Sequence, residues 1–326
     1  MDSPFFLPQN DDFLPTVGIT GLFSYRYAYA RSADSRTYND PAQDYLGFQV
    51  CETSFLFVLC DGVSQSFFGD LAARMLGNAL IQWLSSLPPT QDKAQIQDDL
   101  EQHLRRLSLE ANEAVKNYAL PASIPPLLRE VLEEKRDKGS ESTFIGGRID
   151  LPSKNLPRGR FLTAWMGDSR LRIWRQNQEI SQQLGGEFLT TQRWSSKHGI
   201  INGKPYVYFS PLFNEDNTPI ISRWQIYSDG FSSLDNIQVV LSNNHIQELM
   251  IQSAHTPQSD DISYLEIWLG KTPENVLASS NPVSLESPTV FLNTSPADIE
   301  TAKTVLGTFI PQPPAKNPDD VEEKKS

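Results

Sequence analysis

A chain of 326 residues with 39% apolar and 10% aromatic content is long enough for one large domain or two small ones, and rich enough to bury a core. Its formal charge of −12 argues against a nucleic-acid surface, which shows as a basic stripe. No apolar run reaches the length of a membrane span, so neither nucleic acid nor membrane is expected as a partner. The opening Met1-Asp2-Ser3-Pro4-Phe5-Phe6-Leu7-Pro8 has no basic stretch ahead of an apolar one, which disfavours a secretory signal. Cys51 and Cys60 read as buried reduced thiols. A cytoplasmic protein is expected.

Residues 17 to 60 alternate short apolar runs with polar breaks, the pattern of strands. After Gly69 the period changes: Leu71, Ala72, Met75, Leu76, Leu80, Ile81 and Leu84 recur at helical spacing. A second helix is predicted from about Asp92 to Tyr118. A third runs from about Pro126 to Arg136, with its proline in the permitted first turn. Strands resume from Ser142 to Trp174. The stretch 176–222 is polar, with Gly185-Gly186 and Asn202-Gly203, and reads as a long excursion holding one hairpin. A helix from about Asn243 to His255 precedes a last strand, Ile262 to Trp268. Strands, then helices, then strands again imply an α+β domain with antiparallel sheets. Beyond Lys271 the chain turns to Pro, Ser, Thr and Asn, the composition of a disordered tail. Within the tail, 296–307 carries a short helical pattern with Ile299, Ala302, Val305 and Leu306 on one face.

Five short acidic signatures punctuate this framework. They are Pro41-Ala42-Gln43-Asp44, Cys60-Asp61-Gly62-Val63, Gly167-Asp168-Ser169-Arg170, Ser228-Asp229-Gly230 and Ser259-Asp260-Asp261-Ile262. Four of them adjoin an apolar run that reads as a strand. A buried aspartate is costly unless a cation neutralises it, and several strand-end carboxylates brought together suit a hard divalent cation. Taken singly, Asp61-Gly62 and Asp229-Gly230 read more readily as plain turns, and Gly167 to Arg170 as a hairpin with an ion pair. Asp260-Asp261 is harder to read so, because adjacent like charges ahead of an apolar strand call for a counter-cation. His103, His198, His245 and His255 have no metal-ligand spacing, which disfavours zinc.

In this order, together with Gly139-Ser140 and Ser142-Thr143, the signatures resemble those of the metal-dependent protein phosphatases of type 2C, in a divergent bacterial-type branch. The likeness runs from about residue 15 to 270. It implies a four-layer α-β-β-α sandwich with two central antiparallel sheets over 15–270, a flap-like excursion at 176–222 beside the active site, and a tail over 271–326. It implies two Mn²⁺ or Mg²⁺ ions, with a third more weakly held. Asp61 would bridge the ions, the Gly62 carbonyl would hold one, Asp229 and Asp260 would complete a shell, Asp168 would hold the third, and Asp44 would act mainly through bound water. The reaction implied is hydrolysis of phosphoserine or phosphothreonine in a phosphoprotein substrate, by a monomer paired with a cognate Ser/Thr kinase.

The chain also departs from the resemblance. Asn39 stands where relatives often carry a phosphate-gripping arginine, and Arg36 is the nearest substitute, with Arg31 behind it. Val63 stands where animal members place a histidine, and Ser64-Gln65 replace a Gly-Gly pair, leaving Asn39 and Ser64 as candidate substrate contacts. Asp40 competes with Asp44, but Asp44 is preferred because a strand continues from it. Trp194, His198, Tyr206 and Tyr208 either select substrate or close a small satellite core. Two rival readings are a pseudophosphatase kept for binding and a metal-dependent nuclease, the second disfavoured by the acidic charge.

Overall fold

The computed structural model describes residues 3–277 except 90, 123 and 257. The expected tail helix at 296–307 lies outside the described residues.

The chain begins with β1 (Phe5–Phe6), β2 (Phe13–Thr20) and β3 (Phe23–Ala30), a short helix α1 (Ala33–Tyr38), then β4 (Tyr45–Val50) and β5 (Ser54–Gly62). Three helices follow: α2 (Gly69–Ser86), α3 (Lys93–Lys116) and α4 (Pro126–Lys138). Asp92 and Gln95 form a capping box at the start of α3, each side chain satisfying the other residue's backbone N–H. Next come β6 (Glu141–Asp150), β7 (Arg160–Met166), β8 (Arg170–Arg175), β9 (Gln178–Glu179), β10 (Arg193–Ser195), β11 (Gly199–Ile201), β12 (Tyr206–Ser210) and β13 (Arg223–Tyr227). A 3-10 turn at Asp229–Leu234, helix α5 (Asn243–Ala254), strand β14 (Ile262–Leu269) and a short helix α6 (Glu274–Leu277) complete the described chain.

Two antiparallel sheets form. One runs β1-β4-β5-β6-β10-β11, with β7 also on β6 and β12 on β7; the other runs β2-β3-β14-β13-β8-β9. Alternation along β5 explains the layering. Phe55, Phe57 and Leu59 enter the core shared with Leu171, Ile173, Trp224, Ile226, Leu265 and Ile267 of the second sheet. Leu56, Val58 and Cys60 face the other way, onto Ala72, Leu76 and Leu80 of α2 and Leu104 of α3. Strands buried on both faces lose their polar alternation and read as continuous apolar runs. The second sheet's outer face packs Ala28, Ala30, Tyr227 and Tyr264 against Ile246 and Met250 of α5. Helices, sheet, sheet and helix make the expected four-layer α-β-β-α sandwich. Among the described residues no helix is long and apolar enough to cross a membrane.

Three features differ from the sequence expectation. The first sheet takes in Phe5 and Phe6, which pair with Phe48 and Gly47, well ahead of residue 15. Residues 167–169 are not a hairpin: they carry the chain from β7 in one sheet to β8 in the other. The excursion 176–222 holds four strands rather than one hairpin. β10 and β11 extend the first sheet beside β6, and β12 adds to β7. Trp194 is fully buried there and donates to the Leu104 carbonyl at 3.0 Å. Tyr206 stacks on Trp165 at 5.3 Å. These aromatics close a core, while His198 is exposed.

Candidate metal centre

Strand register brings the acidic signatures to one end of the sandwich. In the first sheet the start of β4 meets the end of β5, with Tyr45 opposite Cys60, and Asp61 lies opposite Thr143 of β6. In the second sheet Tyr227, which ends β13, lies opposite Tyr264 near the start of β14 and Arg170 at the start of β8. Asp44 therefore precedes β4, Asp61 sits near the end of β5, Asp168 occupies the crossover, Asp229 follows β13 and Asp260 precedes β14.

Two glycines permit this approach. A Cβ on Gly62 would lie 2.3 Å from the backbone carbon of Gly69, and one on Gly230 would lie 2.2 Å from the Asp261 carbonyl oxygen. Either would push a strand end away from its neighbour, so a side chain is excluded at both positions.

Carboxylate oxygens of Asp61, Asp168 and Asp229 all lie within 4.8 Å of one another. Burial, and then the charges of Asp44 and Asp229, hold the Asp61 carboxyl well above the usual carboxylate range. Burial, followed by the charges of Asp260 and Asp168, pushes Asp229 up to about 6. Asp44, only 2% exposed, is likewise raised by burial and by the charge of Asp261. Asp260 is exposed, and its Oδ1 accepts the Asp261 N–H at 2.8 Å. Asp40 is exposed just beyond the cap of α1, while Asp44 is turned inward.

These residues fit a hard divalent cation. The donors are all oxygen, as Mg²⁺ and Mn²⁺ prefer. Asp44 Oδ2 and Asp229 Oδ1 are buried without a hydrogen-bond partner, and buried polar atoms ordinarily have one. Carboxylates that repel one another in this way are relieved by a cation between them.

No family model matches the chain, and no curated protein matches it. Solved structures do match. A bacterial serine phosphatase with a single substitution is 14% identical, covering 76% of this chain and 98% of its own, with a TM-score of 0.51. The serine/threonine phosphatase Stp1 from Staphylococcus aureus is 12% identical, covering 78% of this chain and 97% of its own, also with a TM-score of 0.51. This is the fold of the type 2C protein phosphatases.

Around this type 2C framework the other expected contacts are placed as follows. Gly62 is buried beside Asp61, and its N–H donates to the Gln43 carbonyl at 3.1 Å. Ser64 is exposed, and its backbone carbonyl accepts from Lys135 Nζ at 3.1 Å. Asn39 is exposed and caps α1 in a left-handed conformation, φ 54°. Arg36 is not free. Its Nε is 3.1 Å from Asp12, and its Nη1 donates to the Ala254 carbonyl at 3.3 Å. Arg31 shares Asp12 through its backbone N–H, 2.7 Å from Oδ1. Together they tie α1 to the chain before β2 and to α5, and the ion pair must open before Arg36 can grip a phosphate. Arg36→Ala is accordingly expected to lower the thermal midpoint while leaving the Michaelis constant for a phosphopeptide near that of the wild type. A raised Michaelis constant with an unchanged midpoint would return Arg36 to the substrate.

One residue of the site was not singled out from sequence. Asp261, 3% exposed, accepts the Ser32 N–H and the Gln43 N–H, each at 2.6 Å. It thus joins the start of α1 and the approach to Asp44 onto β14. The Asp-Asp pair was the only signal, and it does not say which partner turns inward.

Proposed function

We propose that this chain is a metal-dependent phosphatase acting on phosphoserine and phosphothreonine in proteins. The observation that carries the reading is the group Asp61, Asp168 and Asp229, with oxygens within 4.8 Å, on a type 2C fold. Asp61, the Gly62 carbonyl, Asp229 and Asp260 would hold two Mn²⁺ or Mg²⁺ ions, Asp168 a third, and Asp44 would orient bound water. Such ions, when present, lower the pKa of water and neutralise charge on phosphate.

The chain's own residues do the rest. Asp61 and Asp229 supply negative charge at two facing strand ends. Asp261 fixes the peptides that carry Asp44 and α1, so these carboxylates need no reorganisation when a cation arrives. Val63 offers no proton, so the leaving alkoxide takes one from water or from another group. On this reading the protein works as a cytoplasmic monomer opposite a Ser/Thr kinase, and the catalytic domain runs through β14, with the tail apart from the chemistry. The engagement of Arg36 by Asp12 favours a second reading, a pseudophosphatase that binds without turnover.

A phosphothreonine peptide assayed with Mn²⁺, with Mg²⁺ and with excess chelator separates them. Turnover is expected with either ion and is expected to vanish with chelator. Full activity after thorough chelation sinks the metal reading, and no turnover by metal-loaded protein favours the pseudophosphatase.

A further inference from the structure

Asp44 lies outside the strand ladder. Pairing of β4 with β5 begins at Tyr45, so the two peptide units ahead of it are held by other means. Asp261 receives the Gln43 N–H, and the Gln43 carbonyl receives the N–H of Gly62. The Asp44 carbonyl takes two donors, the Tyr29 hydroxyl at 2.7 Å and Gln9 Nε2 at 3.1 Å.

Gln9 belongs to a segment that precedes the region of family resemblance. It follows β1, and Leu7, fully buried, bonds through its N–H to the Leu46 carbonyl at 3.0 Å. Gln9 is itself only 6% exposed. Its backbone carbonyl accepts the Ala42 N–H at 2.8 Å, and its Nε2 also points at the carbonyls of Ala42 (3.0 Å) and Asp70 (3.3 Å). Arg74 Nη1 donates to Oε1 at 2.9 Å. That donor fixes the amide orientation, because the NH₂ must then face the three carbonyls. Only a primary amide offers two N–H bonds at one corner and an acceptor at the other. Asp70 and Arg74 stand in the first turns of α2, the helix that follows the Asp61 loop.

We infer that Gln9 is a positioning residue whose side chain sets Asp44, through its backbone, in register with Asp61 and α2, supporting the metal centre from outside the region of family resemblance. The inference rests on the metal reading above. Groups that orient ligands from behind typically change metal affinity about ten- to a hundredfold when removed.

The test is calorimetric titration of Mn²⁺ into the wild type, Gln9→Ala, Gln9→Glu and Leu7→Ala. Gln9→Glu keeps the shape and the Arg74 contact but loses the donors. Leu7→Ala loosens the same segment without touching the Asp44 carbonyl. Both Gln9 variants are expected to bind Mn²⁺ at least about tenfold more weakly, while Leu7→Ala, whose thermal midpoint falls further, keeps wild-type affinity. If Gln9→Ala does not fold, Gln9→Met, of like volume, takes its place. Wild-type affinity in the Gln9 variants, or an equal loss in Leu7→Ala, overturns the inference alone. No Mn²⁺ heat from the wild type overturns the metal reading and this inference with it.

Discussion

Asp61→Asn is expected to abolish Mn²⁺-dependent phosphopeptide hydrolysis and, in the absence of metal, to unfold at a higher temperature than the wild type. Both effects have one cause. Asp61 is partly buried among Asp44, Asp229, Asp260 and Asp168, and burial and their charges raise its pKa well above the ordinary carboxylate value. A carboxyl raised on folding binds its proton more tightly in the native state. Its contribution to stability is therefore complete below the unfolded value of about 4 and is lost as pH rises through the folded value. Asp229, raised to about 6, adds a similar loss in the same direction. As pH rises through the folded values the metal-free wild type bears a growing repulsion, whereas the asparagine variant bears less and melts higher. With Mn²⁺ the order reverses, because a bound ligand stabilises only the protein able to hold it. The loss of turnover is expected to be on the order of a thousandfold, several kcal/mol of barrier. Thermal melts with chelator and with Mn²⁺, beside the peptide assay, check both halves. A variant that melts lower than the wild type in chelator, or that keeps its turnover, shows that Asp61 is not at the centre of the repulsion.

What could be read from sequence follows from what each residue must bury. β5 and β14 were legible because strands covered on both faces need apolar residues at nearly every position, and the aspartates stood out at the ends of such runs. The order of the signatures along the chain carried the resemblance that implied the four layers, and the structure brings each signature to a strand end on the same side. Short strands gave no such signal. Phe5–Phe6 and Arg193–Ser195 have two and three residues, too few for a period, and the start at residue 15 and the single hairpin in 176–222 both follow from that. Side-chain engagement was equally hidden. Arg36 meets Asp12, 24 positions away, and Gln9 meets Asp44, 35 positions away. Residue type names a charge or an amide without naming the partner that occupies it. Arg26, Arg172 and Arg223 were not singled out from sequence, yet all three are buried on the outer face of the second sheet.

Those arginines underlie the largest expected effect on stability, the loss from Glu266→Ala. Glu266 is fully buried, and its carboxylate accepts from Arg26 Nε at 2.8 Å, from Arg223 Nε at 2.6 Å and from the Tyr264 hydroxyl. Burial opposes its ionisation, but the charges of Arg26 and Arg223 outweigh that cost and keep its pKa below the ordinary value. The same arginines reach outward. Arg26 Nη1 donates to the Leu241 carbonyl at 2.8 Å, Arg223 Nη1 to that of Gln238 at 3.4 Å, and Arg172 Nη1 to those of Leu234 and Ile237, each at 2.8 Å. They hold the chain that leads from the Asp229 turn to α5. Removing the carboxylate strands two guanidinium groups in a buried site, which typically costs about 3–5 kcal/mol. Urea denaturation is expected to report a loss of that size, and a loss below about 1 kcal/mol would mean that water reaches the arginines. Glu266→Gln keeps some of the hydrogen bonds but not the charge, and is expected to fall between. The decisive comparison is a triple variant, Arg26→Met, Arg223→Met and Glu266→Leu. If the cost of Glu266→Ala comes from uncompensated buried charge, removing all three charges recovers most of it, as replacement of a buried ion network by well-packed apolar side chains often does. If it comes from lost volume, Glu266→Leu alone recovers as much as the triple variant, because it restores the volume while leaving both arginines unpaired.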